Sequence, residues 1–193
     1  MNQITRLTRR SVMAGFAGGA AAMLAGCSNA VGENAAARLD ARVSATKAFL
    51  LQTYPNTAPM IQNARGVLYM PLMTEAGIGF GGAYGQGALR INDATVDYYS
   101  AAQASVGFQI GAQQYAHVLI FQTPEALANF RRYPGWVAEA GAYYALPAGG
   151  QAVGADSISS QQPVVAMIFG QSGLMAGANI AGTKYTRIIP SSF

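Results

Sequence analysis

Apolar residues recur at helical spacing near the N-terminal end of the chain and at strand spacing over most of the remainder. Leu39, Val43, Thr46 and Leu50 follow one another at i, i+4, i+7 and i+11, which predicts an amphipathic helix over residues 37–54. From residue 66 onward, short apolar runs alternate with glycine and polar residues, as in β-strands. The pattern therefore predicts a helix followed by a sheet.

A second, shorter helix interrupts the strand pattern. Thr123 is a good N-cap, Pro124 suits the first helical position, and Leu127 with Phe130 supplies an apolar side. Strands are predicted over residues 66–71, 104–114, 116–121, 164–169, 174–180 and 184–189, with turns at 172–173 and 181–182 and a hairpin over 88–100 that turns at Asn92–Asp93.

The predicted fold class is α+β. An N-terminal amphipathic helix and a second short helix pack on a twisted, mostly antiparallel, glycine-rich sheet, with closure into a barrel-like shape left open.

The segment AGIGFGGAYGQG, residues 76–87, contains the spacing G-x-G-x-x-G, and Asp97 follows it. A dinucleotide site needs a strand, a glycine turn and then a helix whose N-terminus faces the pyrophosphate. Gly85 and Gly87 would each cost such a helix about 1 kcal/mol. The glycines alternate with Ile78 and Phe80, which favours a strand that is bare on one face and allows close packing or a sharp bend. We therefore expect no nucleotide cofactor.

Charge is sparse and concentrated at the start of the chain. Charged residues make up 10% of the sequence, and the net charge is +4, but Arg6, Arg9 and Arg10 all lie in the first ten residues. Without these three, nine basic residues (12 minus 3) face eight acidic ones. The rest of the chain is therefore close to neutral, and its charge gives no indication of nucleic-acid binding.

The first 26 residues are typical of an export signal. Arg9 and Arg10 form a twin-arginine sequence, and an apolar run too short to span a bilayer follows. The run ends in Leu-Ala-Gly before Cys27, which resembles a bacterial lipobox; Cys27 is the only cysteine. The segments expected are a signal peptide over 1–26, a lipidated tether over 27–36 and a domain over 37–193. Ser28 favours sorting to the outer membrane, so a periplasm-facing, acyl-anchored protein carrying palmitate-type chains is expected.

The remaining reactive residue types form no recognisable catalytic unit. His117 lies among apolar neighbours in a predicted strand, where a packed or edge histidine is expected rather than a metal ligand. Ser172 lacks the surroundings of a nucleophile elbow, and Thr183–Lys184 reverses the order that a phosphate loop requires. We expect no catalytic residues, no metal, no cofactor and no enzyme activity.

The blocks along the chain resemble the SYLF domain in order and spacing. They include NARGVLYMP, the glycine block above, SVGFQIGAQ and GLMAGANIAGTKYTRI, with Trp136 between the last two. The resemblance covers residues 37–189. It implies a lipid-binding module, since eukaryotic members resemble phosphoinositide binders and the fungal branch is linked to actin.

By this resemblance, the head-group contacts would lie on the first helix. They are Arg38, Arg42 and Lys47, with Arg65, Lys184 and Arg187 as weaker candidates. Two features depart from the family: basic residues are few, and a periplasm-facing protein would not meet actin or ordinarily phosphoinositides.

The leading hypothesis is a non-enzymatic, membrane-anchored lipoprotein that binds phospholipid at the cell envelope. An envelope scaffold that binds protein partners through its bare glycine face is the alternative. A cofactor-bearing periplasmic enzyme is the third hypothesis, because twin-arginine export carries folded cargo.

Overall fold

The computed structural model describes residues 30–138, 143–145, 162–173 and 180–190. The predicted signal peptide, with Arg9, Arg10 and Cys27, lies outside them. The elements, in chain order, are α1 (Ala30–Thr53), a 3₁₀ turn (Pro55–Thr57), α2 (Ala58–Asn63), β1 (Gly66–Ile91), β2 (Ala94–Phe121), α3 (Pro124–Arg132), β3 (Trp136–Val137), β4 (Tyr143–Ala145), β5 (Val164–Gly173) and β6 (Lys184–Ile188).

The described strands form one curled sheet that makes a half-barrel. Its order is β3-β6-β2-β5-β4. Strands β6 and β5 pair with different parts of the same edge of β2, and β1 pairs with the opposite edge. Every pairing is antiparallel except that of β4 with β5. The predicted α+β class, with helices on a mostly antiparallel sheet, is confirmed.

A long hairpin, β1–β2, is the frame of the sheet. The paired residues run from Gly66 opposite Phe121 to Ile91 opposite Ala94. Asn92 and Asp93 form the turn with φ of 50° and 66°, a conformation typical of two-residue hairpin turns. The predicted hairpin is therefore confirmed, but the separate strands predicted on either side belong to two continuous strands. Bulges interrupt the alternation of side chains between the two faces of the sheet. For this reason the sequence pattern predicts a separate strand on each side of a bulge.

The glycine block lies where β1 bends back over itself. A Cβ on Gly77 would lie 2.5 Å from the Cα of Gly81. A Cβ on Gly85 would overlap the carbonyl oxygen of Leu72, and one on Gly87 that of Tyr69. Only glycine allows these backbone segments to approach so closely. At Gly85 and Gly87 the bare face is thus occupied by the chain's own backbone.

Two hydrophobic clusters cover opposite faces of the sheet, because successive side chains of a strand alternate between faces. The interior cluster includes Leu68, Met70, Leu119 and Phe121, and α3 adds Phe130 to it. The cluster on the other face packs under α1 and includes Leu39, Val43, Leu50, Val67, Tyr69, Val118, Ile120, Val165, Met167 and Phe169. The predicted apolar face of the first helix is therefore its contact with the sheet.

Two element boundaries differ from those predicted. Helix α1 begins at Ala30, so the predicted tether over 27–36 is helical from residue 30. The Ala-rich sequence favours helix, and Ala35 is buried. The turn predicted at Ser172–Gly173 is wrong, since these residues continue β5 opposite Gln114 and Gln113. Serine and glycine suit a turn, but pairing with β2 overrides that preference.

Two further local predictions are confirmed, the N-cap of α3 and the turn before β6. Thr123 Oγ1 accepts a hydrogen bond from the Ala126 amide at 3.2 Å and caps α3. Gly182 has φ of 78° in the turn before β6. Residues 174–179 of the predicted strand 174–180 lie outside the described residues.

Candidate functional site

A groove runs along one side of α1, between the helix and the bend of β1. It consists of two neighbouring cavities of about 380 and 390 Å³ that share Pro71 and Leu72 in their linings. On the helix it extends from Ala35 to Phe49, roughly 21 Å at 1.5 Å per residue. Each cavity falls within the size range of small-molecule sites, roughly 300–1,000 Å³.

One end of the groove is cationic. Arg38 and Arg42 lie one helical turn apart, are exposed and line the first cavity. Neither forms an ion pair within the described part of the chain. Leu72 and Tyr84 line the same cavity and are 40% and 44% exposed. Two free guanidinium groups thus lie beside exposed apolar surface.

The other end of the groove is aromatic. Phe49 stacks on Phe169 with ring centroids 6.1 Å apart and remains 46% exposed. Both residues line the second cavity, with Pro71, Leu72 and Ala45. The groove therefore passes from a charged end to an apolar end along a single helix.

Lys47 lies elsewhere on α1 and has a different environment. It forms an ion pair with Asp93 at the turn of the long hairpin. It also lines a separate cavity of about 330 Å³ with Ile61 of α2 and Arg90 of β1. The lysine therefore holds the helix to the hairpin turn and is less available to an outside anion.

The three weaker basic candidates lie away from this groove. Arg65 is exposed just before β1, where its backbone amide bonds to the Phe121 carbonyl at 2.8 Å. Lys184 and Arg187 are exposed on β6. Arg187 Nε lies 3.3 Å from Asp97 Oδ1, and Arg131 of α3 contacts the same carboxylate at 3.0 Å. The six predicted residues therefore do not form one patch, and only Arg38 and Arg42 share a cavity.

A polar network that the sequence reading missed fixes α1 to the hairpin. Asp40 accepts hydrogen bonds from Thr95 Oγ1 and the Tyr98 hydroxyl, both at 2.8 Å. Arg90 donates to the Asp40 carbonyl at 3.2 Å and to Ser44 Oγ at 2.8 Å. Burial, and then the hydrogen bond to Asp40, raise the pKa of Tyr98 to about 12. The available sequence signal was two polar residues, Asp40 and Ser44, one turn apart beside the apolar face.

Two absences hold for the described residues. No helix among them combines the length and apolarity needed to cross a membrane. No three histidine, cysteine, aspartate or glutamate side chains in the same part of the chain are placed to hold a metal ion.

A comparison with known families matches residues 102–188 to Ysc84, described as a Las17-binding protein actin regulator. Residues 102–188 are therefore similar to the Ysc84 (SYLF) family. The suspected resemblance is thus confirmed over this range. A comparison with curated proteins finds no match.

The Ysc84 match begins within β2 and continues to the end of β6. It includes Lys184 and Arg187, whereas α1 and the glycine bend lie before it. The resemblance over residues 37–101 therefore stays a prediction. The family's description names binding and regulation and no reaction.

Proposed function

We propose that this protein is a non-enzymatic, membrane-anchored lipoprotein whose SYLF domain binds phospholipid at the bacterial cell envelope. The observation that carries the proposal is the groove along α1, with unpaired Arg38 and Arg42 at one end and Phe49 with Phe169 at the other. A phospholipid has the same division into an anionic phosphate and apolar chains.

The energetics of the groove match this ligand. Guanidinium groups form charge-assisted hydrogen bonds with phosphate oxygens, and each basic residue near an anionic membrane contributes about 1 kcal/mol. Burial of acyl chain adds about 0.8 kcal/mol per CH₂. Two arginines alone give weak binding, so the apolar half of the groove must contribute.

Acylation at Cys27 would bring the groove to the membrane. Helix α1 begins at Ala30, three residues later, and three residues span roughly 10 Å at most. Arg38 follows eight helical residues after Ala30, about 12 Å along the axis. A short connection of this kind would hold the first turns of α1 near the lipid head groups.

The compartment limits the partners. Export through Arg9 and Arg10 and sorting by Ser28 would place the domain at the outer membrane, facing the periplasm. The Las17 and actin named for the family would not be present there. The expected partner is the membrane itself, with no nucleic acid.

Vesicle flotation tests the proposal. The chain without residues 1–26 and carrying Cys27→Ser, which cannot be acylated, is floated with phosphatidylglycerol–phosphatidylcholine vesicles at low salt. We expect binding, and Arg38→Gln with Arg42→Gln should weaken it by roughly thirtyfold, the equivalent of about 2 kcal/mol.

The matched control is Arg131→Gln with Arg132→Gln, which removes the same charge from α3. It should weaken binding by less than about threefold, because these residues lie away from the groove. Equal losses in the two double variants would reduce the effect to net charge and reject the groove as the lipid site.

A protein-binding role is the second candidate, and it has its own surface. Tyr133, Val137 and Ile189 are 58%, 47% and 88% exposed around β3, at the edge of the sheet. Edge strands with exposed apolar residues suit pairing with another chain. A photoreactive residue at position 137 would then crosslink to protein in intact cells, whereas the lipid proposal predicts crosslinks to phospholipid from position 72.

A further inference from the structure

A row of polar side chains lies inside the half-barrel, on the face opposite α1. Glu75, Gln113, Tyr115 and His117 are 7%, 3%, 1% and 0% exposed. Glu75 pairs with Gln113 across the β1–β2 ladder, and the other two follow at alternate positions of β2. They therefore point to the same interior space.

The hydrogen bonds made by this row leave several atoms unsatisfied. Gln113 Nε2 donates to Glu75 Oε2 at 2.7 Å, and His117 Nε2 lies 2.8 Å from the Tyr185 hydroxyl. Three buried atoms have no partner among the described residues: Gln113 Oε1, the Tyr115 hydroxyl and His117 Nδ1. A buried polar atom that nothing satisfies destabilises the folded protein. Three in one row indicate that another molecule supplies the missing bonds.

The chemistry of the row selects the kind of molecule. The amide oxygen of Gln113 and an ionised Glu75 carboxylate can both accept hydrogen bonds but cannot donate them. Glu75 forms no ion pair within the described residues, although a buried carboxylate without a cation is costly. An anion would meet acceptors and negative charge. A cation with several N–H donors would supply hydrogen bonds to these acceptors and would balance the negative charge.

The aromatic neighbours favour the same charge. The rings of Tyr115 and His117 lie 6.1 Å apart, and burial lowers the pKa of His117 to about 3. The histidine is therefore neutral at pH 7 and does not repel a cation, while aromatic faces attract one. Burial, and then the charge of Glu75, raise the pKa of Tyr115 to about 12, so its hydroxyl stays protonated.

We propose that this row is a binding site for a small protonated primary amine. Its three N–H bonds would go to the Glu75 carboxylate, Gln113 Oε1 and the Tyr115 hydroxyl, which satisfies two of the three unpartnered atoms; His117 Nδ1 is not a partner of the amine. Glu75 keeps 7% of its surface accessible, the largest exposed fraction in the row. Tyr115 also lines the second cavity of the α1 groove, but the amine site uses neither Arg38, Arg42 nor Phe49, so its failure would leave the lipid proposal untouched.

The test is a titration of the full chain with ethylammonium chloride, with ethanol as the uncharged probe of similar shape and sodium chloride as the ionic-strength control. The readout is the NMR shifts of the Gln113 side-chain amide and the His117 ring. Ethylammonium should shift both signals with saturation, and neither control should do so.

Two variants make the result decisive. Glu75→Gln keeps the size and the contact with Gln113 but removes the charge, and it should weaken ethylammonium binding by about tenfold or more. Tyr115→Phe removes one acceptor and should cost less; it provides the comparison if Glu75→Gln fails to fold. Equal responses to ethylammonium and ethanol, no response to either, or unchanged binding in the folded variants would overturn the proposal and leave a row satisfied by water.

Discussion

At the scale of single residues, His117 shows how burial changes the chemistry of a side chain. The sequence reading predicted a packed histidine rather than a ligand, and the structure places the ring at zero exposure against Tyr185. Transfer out of water disfavours the charged imidazolium, which lowers the pKa of His117 to about 3. The ordinary value of about 6.5 applies in the unfolded chain.

This difference predicts an acid-dependent loss of stability. Between pH 6.5 and about 3 the unfolded chain binds a proton at His117 and the folded protein does not, so the free energy of unfolding falls as the pH falls. One proton corresponds to about 1.4 kcal/mol per pH unit. Urea denaturation at pH 7 and pH 4.5 should show a smaller decrease for His117→Gln than for the unchanged chain. Equal decreases would mean that His117 is not the titrating group.

At the scale of elements, the bend of β1 depends on glycines that face backbone. Gly87→Ala would place a Cβ against the Tyr69 carbonyl oxygen, and neither backbone segment can move without disturbing the sheet. We expect a loss of roughly 1–3 kcal/mol, as for other overpacked sites. Gly82→Ala is the control, because its Cβ would meet one atom, the Gln103 carbonyl oxygen, at 3.1 Å.

Thermal unfolding of both glycine variants measures the difference. The midpoint should fall by several degrees more for Gly87→Ala than for Gly82→Ala. If the two variants behaved alike, the close approach of residues 69 and 87 would have no energetic consequence.

The same element shows what could be read from the sequence. Alternation identified residues 76–87 as strand, and the glycines indicated a bend. The partner segment over 69–72 could not be found, because that approach joins two parts of one strand through its tertiary fold. For the same reason the bulges concealed the continuity of β1 and β2.

The sequence could predict which residues belong to the candidate site, but it could not predict their contacts. Arg38 and Arg42 were candidates through the family resemblance, and the structure places both exposed on α1. Lys47 pairs with Asp93, whereas Arg38 and Arg42 form no ion pair within the described residues. This difference depends on contacts with the hairpin, tens of residues away in sequence. The anchoring of α1 through Asp40 and Tyr98 is a contact of the same kind.

At the scale of the whole molecule, the two faces of the sheet would have different functions. The α1 face, with Arg38, Arg42 and Leu72, would meet the membrane. Trp136, the only tryptophan, packs with Phe130 and Tyr185 on the other face. The orientation on a membrane is therefore the central claim.

Quenching by brominated acyl chains tests this orientation most directly. Two proteins, both with Cys27→Ser, are compared on phosphatidylglycerol vesicles: the chain with its native Trp136, and a chain with Leu72→Trp and Trp136→Phe. We expect strong quenching of the indole at position 72 and little quenching of Trp136. Quenching of Trp136 without quenching at position 72 would contradict this orientation.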